Sequence, residues 1–361
     1  MDGLTDLLGG LGLDEIAGRP LDPRSVTVDP VPYTFGSPAT GGLFRVAAAG
    51  AEGEWRAFVK VLQHLRHWPA LQFMPPPVRE SFLEFFPWRE EVDMWRPAFV
   101  DRLPAGLRVP ELHRLVELPD DRLAVWAEDV AVDESPWDDE RFDRAAYLLA
   151  VHNARMADPE VLAACEHEPD YGMRMWVTHA LRGQGLAPLA DDALWAHPAL
   201  VAGGDVRSGL QAWAPHVDEV LARLRPLRHG MPHGDASPQN LLVPADGSAE
   251  FVMIDVSFQT PAPLGSDLSQ LVVGLAHAGL LPAARLPQVE QVVLEAYARG
   301  LEAEGLEPGA DDVPLAYAAT LLLRSGFTAL PYEALERADP ATVAARLDLT
   351  RFILGAADRH L

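Results

Sequence analysis

The spacing of hydrophobic positions changes character after the acidic stretch at 128–143. Before it, apolar and polar residues alternate, the mark of strands with one buried face. Val26, Val28 and Val31 lead into Tyr33-Thr34-Phe35-Gly36. The small-residue loop Ser37-Pro38-Ala39-Thr40-Gly41-Gly42 then enters a second strand at Leu43-Phe44-Arg45-Val46. Trp55-Arg56-Ala57-Phe58-Val59-Lys60-Val61-Leu62 predicts a third, and further strands fall at Leu112–Leu118 and 123–127. Ahead of them, residues 1–25 form a weakly amphipathic extension around Leu4, Leu7, Leu8, Leu11 and Leu13, expected as a helix lying on the body. Beyond the acidic stretch the spacing is helical. Phe142, Ala145, Ala146, Leu149 and His152 share one face, with Asn153 beside it, and Val217, Val220, Leu221 and Leu224 share another that Pro226 should end. A helix capped by Ser266 or Asp267 runs through Gly274, and others are expected at 289–301, 315–323 and 341–354. Leu241-Leu242-Val243 and Phe251-Val252-Met253-Ile254 are short strands, with a turn at Pro244-Ala245-Asp246-Gly247-Ser248 predicting a hairpin. The pattern predicts an α+β protein: an extension at 1–25, a small sheet-bearing N-lobe at 26–130, and a larger, mostly helical C-lobe at 131–361.

Composition narrows the functional classes. With 361 residues the chain can bury a substantial core in two lobes. No apolar run reaches the roughly 18 residues of a membrane span. The closest approach, at 271–281, is interrupted by Gly274, His277 and Gly279 and reads as a buried helix. The opening Met1-Asp2-Gly3-Leu4 has no basic patch or cleavage-site pattern, so a cytoplasmic location is expected. Cys165 is the only cysteine, which excludes an internal disulfide or a cysteine-built zinc site. A formal charge of −24 argues against nucleic-acid and anionic-membrane partners; it serves plain solubility first, and beside that favours a cationic small molecule near the surface. Nothing in the pattern sets an oligomeric state. Lys60 is the only lysine, and asparagine occurs only at Asn153 and Asn240. An ammonium inside an apolar strand needs a partner, because an unpaired charge there is costly.

The densest chemistry is His233-Gly234-Asp235-Ala236-Ser237-Pro238-Gln239-Asn240, followed by Asp255 at the end of an apolar run. These are the polar parts that phosphoryl transfer needs. Asp235 can orient and deprotonate an attacking hydroxyl, while Asn240 and Asp255 offer oxygen ligands to the magnesium that bridges nucleotide phosphates. The predicted hairpin would bring those two ligands together. Gly41 and Gly42 are candidates for a loop whose backbone amides cover phosphates, since only small side chains permit that approach. Separately, Asp235 is an ordinary turn residue and Asn240 an ordinary cap; their conjunction with Asp255, Lys60 and Gly265-Ser266-Asp267-Leu268 is what carries the reading. His233 is expected to brace the loop. Asp267 has two structural jobs open to it, capping its own helix or accepting hydrogen bonds from the catalytic loop. Tyr171, Trp176 and Trp195 are expected in the core rather than in a stacking wall. A metallohydrolase built on His233 and Asp235 would need further ligands in short motifs, which the sequence does not supply.

His233-Gly234-Asp235 to Asn240, Ile254-Asp255 and Gly265-Ser266-Asp267-Leu268 together resemble the aminoglycoside phosphotransferase and choline kinase-like superfamily, over roughly residues 30 to 280. The resemblance implies a protein-kinase-like fold and an ATP-dependent, magnesium-requiring phosphotransferase acting on a hydroxyl of a small molecule, with GTP left open as donor. It also implies that Lys60 contacts the phosphates and pairs with a helix glutamate. Within Pro87-Trp88-Arg89-Glu90-Glu91-Val92, Glu90 is the first choice and Glu91 the alternate. Leu123-Ala124-Val125-Trp126-Ala127-Glu128-Asp129-Val130 resembles the strand and hinge whose backbone meets adenine. Two departures from the protein-kinase pattern stand out: the glycine loop lacks spaced glycines, and Val256-Ser257 follows Asp255. Only eleven residues separate Asp255 from Asp267, too few for an activation loop, so protein phosphorylation is not expected. An aminoglycoside-like compound, an amino alcohol or a sugar would be the acceptor. The rival from another class is a nucleotide-binding protein that keeps the fold without catalysis.

Overall fold

The computed structural model describes residues 2–32, 37–74, 76–165, 167–256 and 260–361. The expectations placed on Tyr33-Thr34-Phe35-Gly36 and on Ser257 lie outside the described residues. The chain divides into two compact units. The first takes in Met1–Asp101, Arg108–Asp133 and Val243–Ile254; the second takes in Arg102–Leu107, Glu134–Leu242 and Asp255–Leu361.

In the first unit, strands Thr27–Pro30, Thr40–Gly50, Gly53–Gln63, Arg122–Glu128 and Leu112–Leu118 lie side by side in that order, all antiparallel to their neighbours. Successive residues of a strand face opposite sides, and the sequence obeys this. Along Gly53–Gln63, Ala57, Val59 and Val61 are fully buried on one face with Phe44, Val46 and Trp126. The N-terminal extension covers that face. Its helices Asp2–Gly9 and Leu13–Ala17 contribute Leu8, Leu13 and Ile16 to the same core, so the segment is an integral layer of this unit. Burying each such side chain stabilises by about 1.5–3 kcal/mol relative to exposure, enough to hold short helices that would not persist alone. The other face is smaller and more polar. Leu62, Leu123 and Val125 pack there with Trp88, Val92 and Trp95, and Lys60 projects among them.

Segment Val243–Ile254 joins this first unit rather than the C-terminal region that its place in the sequence suggests. Its turn forms as expected. Asp246 accepts a hydrogen bond from the Ser248 amide at 2.8 Å, and Gly247 takes a positive φ of 75°, between Leu241–Leu242 and the strand Phe251–Met253.

The second unit is mostly helical. Helix Asp139–Arg155 starts at Asp138, whose carboxylate accepts from the Arg141 amide at 2.9 Å, with Asp139 and Glu140 in its first turn. Thus the acidic stretch that marks the change of period also starts this helix, where negative charge favours the exposed amides. Phe142, Ala145, Ala146, Leu149, His152 and Asn153 are all on its buried side. Helices Val217–Leu224, Leu268–His277, Leu286–Ala303, Asp312–Leu321 and Pro340–His360 match the helical periodicity. Among the described residues, no helix is long and apolar enough to cross a membrane.

Candidate active site

The loop carrying Asp235 is held by a second aspartate. His233-Gly234-Asp235 follows the short strand His229–Gly230, and Gly234 adopts a left-handed φ of 84° that a side chain would resist. This turn points two successive amides at one carboxylate. Asp267 accepts from the His233 amide at 2.9 Å and from the Gly234 amide at 3.0 Å. Asn153 Nδ2 donates at 3.1 Å to Asp267 Oδ2, the oxygen that also takes the His233 amide, and lies 3.1 Å from the Tyr297 hydroxyl, which in turn accepts from the Gly265 amide at 2.9 Å. Asp267 makes no side-chain cap bond to its own helix. Of the two jobs open to it, holding the loop is therefore the one it performs. Burial raises the Tyr297 hydroxyl well above the ordinary tyrosine range, so it stays a neutral hydroxyl in the network.

His233 braces the loop as expected. Its Nδ1 accepts from the Asp235 amide at 3.2 Å, which places the imidazole proton on Nε2. The neighbouring His152 is fully buried, and burial, followed by the proximity of His233, lowers its pKa to about 3. It is therefore a neutral ring at physiological pH.

Asp235 itself is half-buried, and both carboxylate oxygens are engaged. Asn240, which closes the turn Pro238–Asn240, donates through Nδ2 to the Asp235 carbonyl at 2.9 Å and to its Oδ2 at 3.2 Å. Arg324 donates through Nη2 to Oδ1 at 2.8 Å, and its Nη1 donates to the Gly234 carbonyl. Because the amide nitrogen of Asn240 is committed to Asp235, its Oδ1 is the atom left to meet a cation.

Asp255 follows the strand Phe251–Met253 and is half-buried, with φ at 54°. A left-handed backbone is uncommon for any residue but glycine, least so for Asp and Asn, and such strained positions cluster at functional sites. Asn240 and Asp255 supply hard oxygen donors, a set that suits magnesium, which is normally held by one or two carboxylates together with phosphate oxygens and water. No group of three or more His, Cys, Asp or Glu that could cage a metal occurs among the described residues.

In the first unit, Lys60 Nζ lies 2.6 Å from Glu91 Oε2, with the two side chains 13 and 14 % exposed. This corrects the expected pairing with Glu90. Residues Glu90–Trp95 form a 3-10 helix rather than an α-helix. With three residues per turn, Glu91 is stacked with Met94, which is 2 % exposed, so Glu91 shares the inward face and Glu90 does not. Glu90 is nevertheless mostly desolvated, and burial, followed by Asp93, raises its pKa to about 7. Gly41 and Gly42 open the strand Thr40–Gly50 instead of standing in the loop before it. Thr40 pairs with Leu62 and Gly42 with Val61, so Gly41 is the extra residue of a bulge. The strand Arg122–Glu128, expected to lead to a hinge, ends where Glu128 is gripped by both terminal nitrogens of Arg108, at 2.6 and 2.9 Å.

Trp195 lies in the core as expected, whereas Tyr171 is only half-buried. Tyr171 stacks on His167, with centroids 4.3 Å apart, and Trp195 is buried with its Nε1 donating to the Pro188 carbonyl at 3.0 Å. Trp176 differs, because the Arg324 guanidinium lies 5.7 Å from its ring centroid. Arg324, Asn153 and Tyr297 were not singled out from the sequence as site residues. Only Asn153 left a signal, through the scarcity of asparagine: each of the chain's two asparagines binds an aspartate of this network.

No family model matches the chain, and no curated protein matches it in sequence. Solved structures do. The amicoumacin kinase hAmiN, determined with AMP-PNP and Ca2+, aligns with a TM-score of 0.55 at 13 % identity, over 94 % of this chain and 90 % of that one. Spectinomycin phosphotransferase APH(9)-Ia, determined with ADP and spectinomycin, aligns with a TM-score of 0.55 at 11 % identity, over 100 % and 98 % of the two chains. An aminoglycoside phosphotransferase from Alicyclobacillus acidocaldarius aligns with a TM-score of 0.53 at 16 % identity, over 94 % and 93 %. At these identities the likeness is one of fold: the chain has the α+β, protein-kinase-like fold of the aminoglycoside phosphotransferases.

Proposed function

We propose that this protein is a small-molecule kinase that transfers the γ-phosphoryl group of a nucleoside triphosphate to a hydroxyl. The observation that carries the reading is the construction around Asp235. Its carboxylate is fixed by Asn240 and Arg324, and its loop is fixed by the buried carboxylate of Asp267. A turn aspartate with no further role does not require so much support.

In this reading the acceptor hydroxyl donates to the Asp235 carboxylate, whose oxygens keep lone pairs beyond those engaged by Asn240 and Arg324. Asp235 aligns the hydroxyl oxygen with the γ-phosphorus and takes up its proton as the new O–P bond forms and the bond to the leaving diphosphate breaks. Asn240 Oδ1 and the Asp255 carboxylate would hold magnesium, which when bound would neutralise charge on the phosphate oxygens. Lys60, oriented by Glu91, contacts the phosphates, and the bulged backbone at Gly41 and Gly42 covers them. ATP is the proposed donor, with GTP as its competitor, since structures of similar fold hold AMP-PNP, ADP or GDP.

For the acceptor, the similar structures were solved with spectinomycin and kanamycin, and the chain's charge of −24 favours a cation. Amino-bearing antibiotics are therefore the first acceptors to test, followed by amino alcohols and sugars. The purified protein, magnesium and either nucleotide are incubated with each acceptor, and mass spectrometry follows the addition of a phosphoryl group. The expected result is one phosphoryl group on one class of acceptor, lost with Asp235→Asn. Nucleotide binding without transfer to any acceptor would favour the non-catalytic alternative.

A further inference from the structure

Arg324 reaches Asp235 from 89 residues further along the chain, and it is placed there by an irregularity. Helix Asp312–Leu321 does not continue as an α-helix; it widens into a π-turn at Leu322–Gly326. A π-turn inserts an extra residue into a helix, turning the following side chains to a new direction, and it is frequent at functional sites. The turn is itself tied down. Thr328 Oγ1 donates to the Arg324 carbonyl at 2.9 Å, and Gln270 Nε2 donates to Ser325 Oγ at 3.2 Å. Gln270 belongs to Leu268–His277, the helix that begins directly after Asp267. One helix therefore supports the Asp235 loop at its start and the Arg324 turn along its side.

We propose that Arg324 is a positioning residue for Asp235. The inference rests on the kinase reading of the site. A guanidinium presents parallel donors in a rigid plane. One donor here takes the Gly234 carbonyl and the other takes Asp235 Oδ1, so the carboxylate is locked to the backbone of its own loop. Asn240 secures Oδ2 from the other side. Trp176 backs the guanidinium, and the arginine side chain is 21 % exposed. The carboxylate plane therefore has its direction set before an acceptor arrives. Misplacing a catalytic group by about 1 Å can cost on the order of a hundredfold in rate.

Five proteins test this: wild type, Arg324→Lys, Arg324→Gln, Asp235→Asn and the double variant Arg324→Gln/Asp235→Asn, each at full length. Arg324→Gln should lower kcat by about a hundredfold while the KM for nucleotide stays within about twofold, because the loss is confined to alignment. Arg324→Lys keeps the charge but reaches only one of the two acceptors, so it should recover part of the loss. The double variant should be scarcely slower than Asp235→Asn alone, since an arginine that acts through Asp235 has nothing to align once that carboxylate is gone. Hydrogen exchange of the peptide covering 233–240 supplies a readout independent of turnover, and it should accelerate in Arg324→Gln. Unchanged kcat in Arg324→Gln overturns the proposal, as does a double variant slowed by the product of the single effects. If the wild type phosphorylates no acceptor, the kinase reading fails, and unaltered exchange at 233–240 then also overturns the positioning role. Should Arg324→Gln not fold, Arg324→Lys decides, with wild-type kcat and exchange counting against the proposal.

Discussion

Lys60 and Glu91 form a close ion pair, Nζ to Oε2 at 2.6 Å, on the smaller face of the five-stranded sheet. A largely desolvated pair in this position holds the ammonium at a defined point above the strand, and a planar guanidinium cannot occupy the same space. Lys60→Arg should therefore reduce nucleotide affinity or turnover by about tenfold, with the melting temperature of the nucleotide-free protein little changed. Glu91→Gln should resemble it and Glu90→Gln should not. Kinetics over a range of nucleotide concentrations check this, and equal effects from the two glutamates would remove the assigned partner.

Glu90 governs a different property. Its folded pKa, about 7, lies above the ordinary value of 4.5, so between these two values the folded state binds more protons than the unfolded state. Stability should then fall as pH rises from about 4.5 to about 7, by on the order of 1–2 kcal/mol after allowing for its partial exposure. Glu90→Gln removes that slope. Melting curves at pH 5, 6, 7 and 8 should show the variant gaining on the wild type as pH rises; parallel curves would refute the assignment.

Replacing Asp235 by Asn preserves size and deletes the carboxylate. Turnover should drop by about two to four orders of magnitude. Nucleotide binding, followed by calorimetry, should persist, and a variant with near-normal turnover would take Asp235 out of the site.

Magnesium gives the next comparison. Stabilisation by magnesium and ATP in a thermal shift experiment should shrink sharply in Asp255→Ala, which loses a charged ligand. Asp246, whose carboxylate caps an exposed turn through Ser248, serves as the control and should leave that response intact. Identical responses from both variants would count against Asp255 as a metal ligand.

Asp267 carries the structural load. Asp267→Ala leaves the His233 and Gly234 amides and the Asn153 amide group without their acceptor, at a cost of about 2–4 kcal/mol. Asp311→Ala, at an exposed helix start that likewise has no side-chain cap bond, should be nearly silent. Chemical denaturation of the two variants measures the difference.

The sequence by itself determined the principal strands and helices, because burial of one face imposes a period that survives in one dimension. It also marked Asp235 and Asn240, whose contact closes within a single local turn. Lys60 stood out because the chain avoids lysine everywhere else. Tertiary structure decided the partners. Glu91 prevails over Glu90 because the segment winds with three residues per turn, a phase that hydrophobic spacing over six residues does not reveal. Asp267 turns to the Asp235 loop rather than to its own helix because two successive amides converge there. Arg324 lies 89 positions from Asp235, and no periodicity links them. Their contact depends on how a π-turn rotates one side chain and on how the surrounding helices pack, quantities that exist only once the chain is folded.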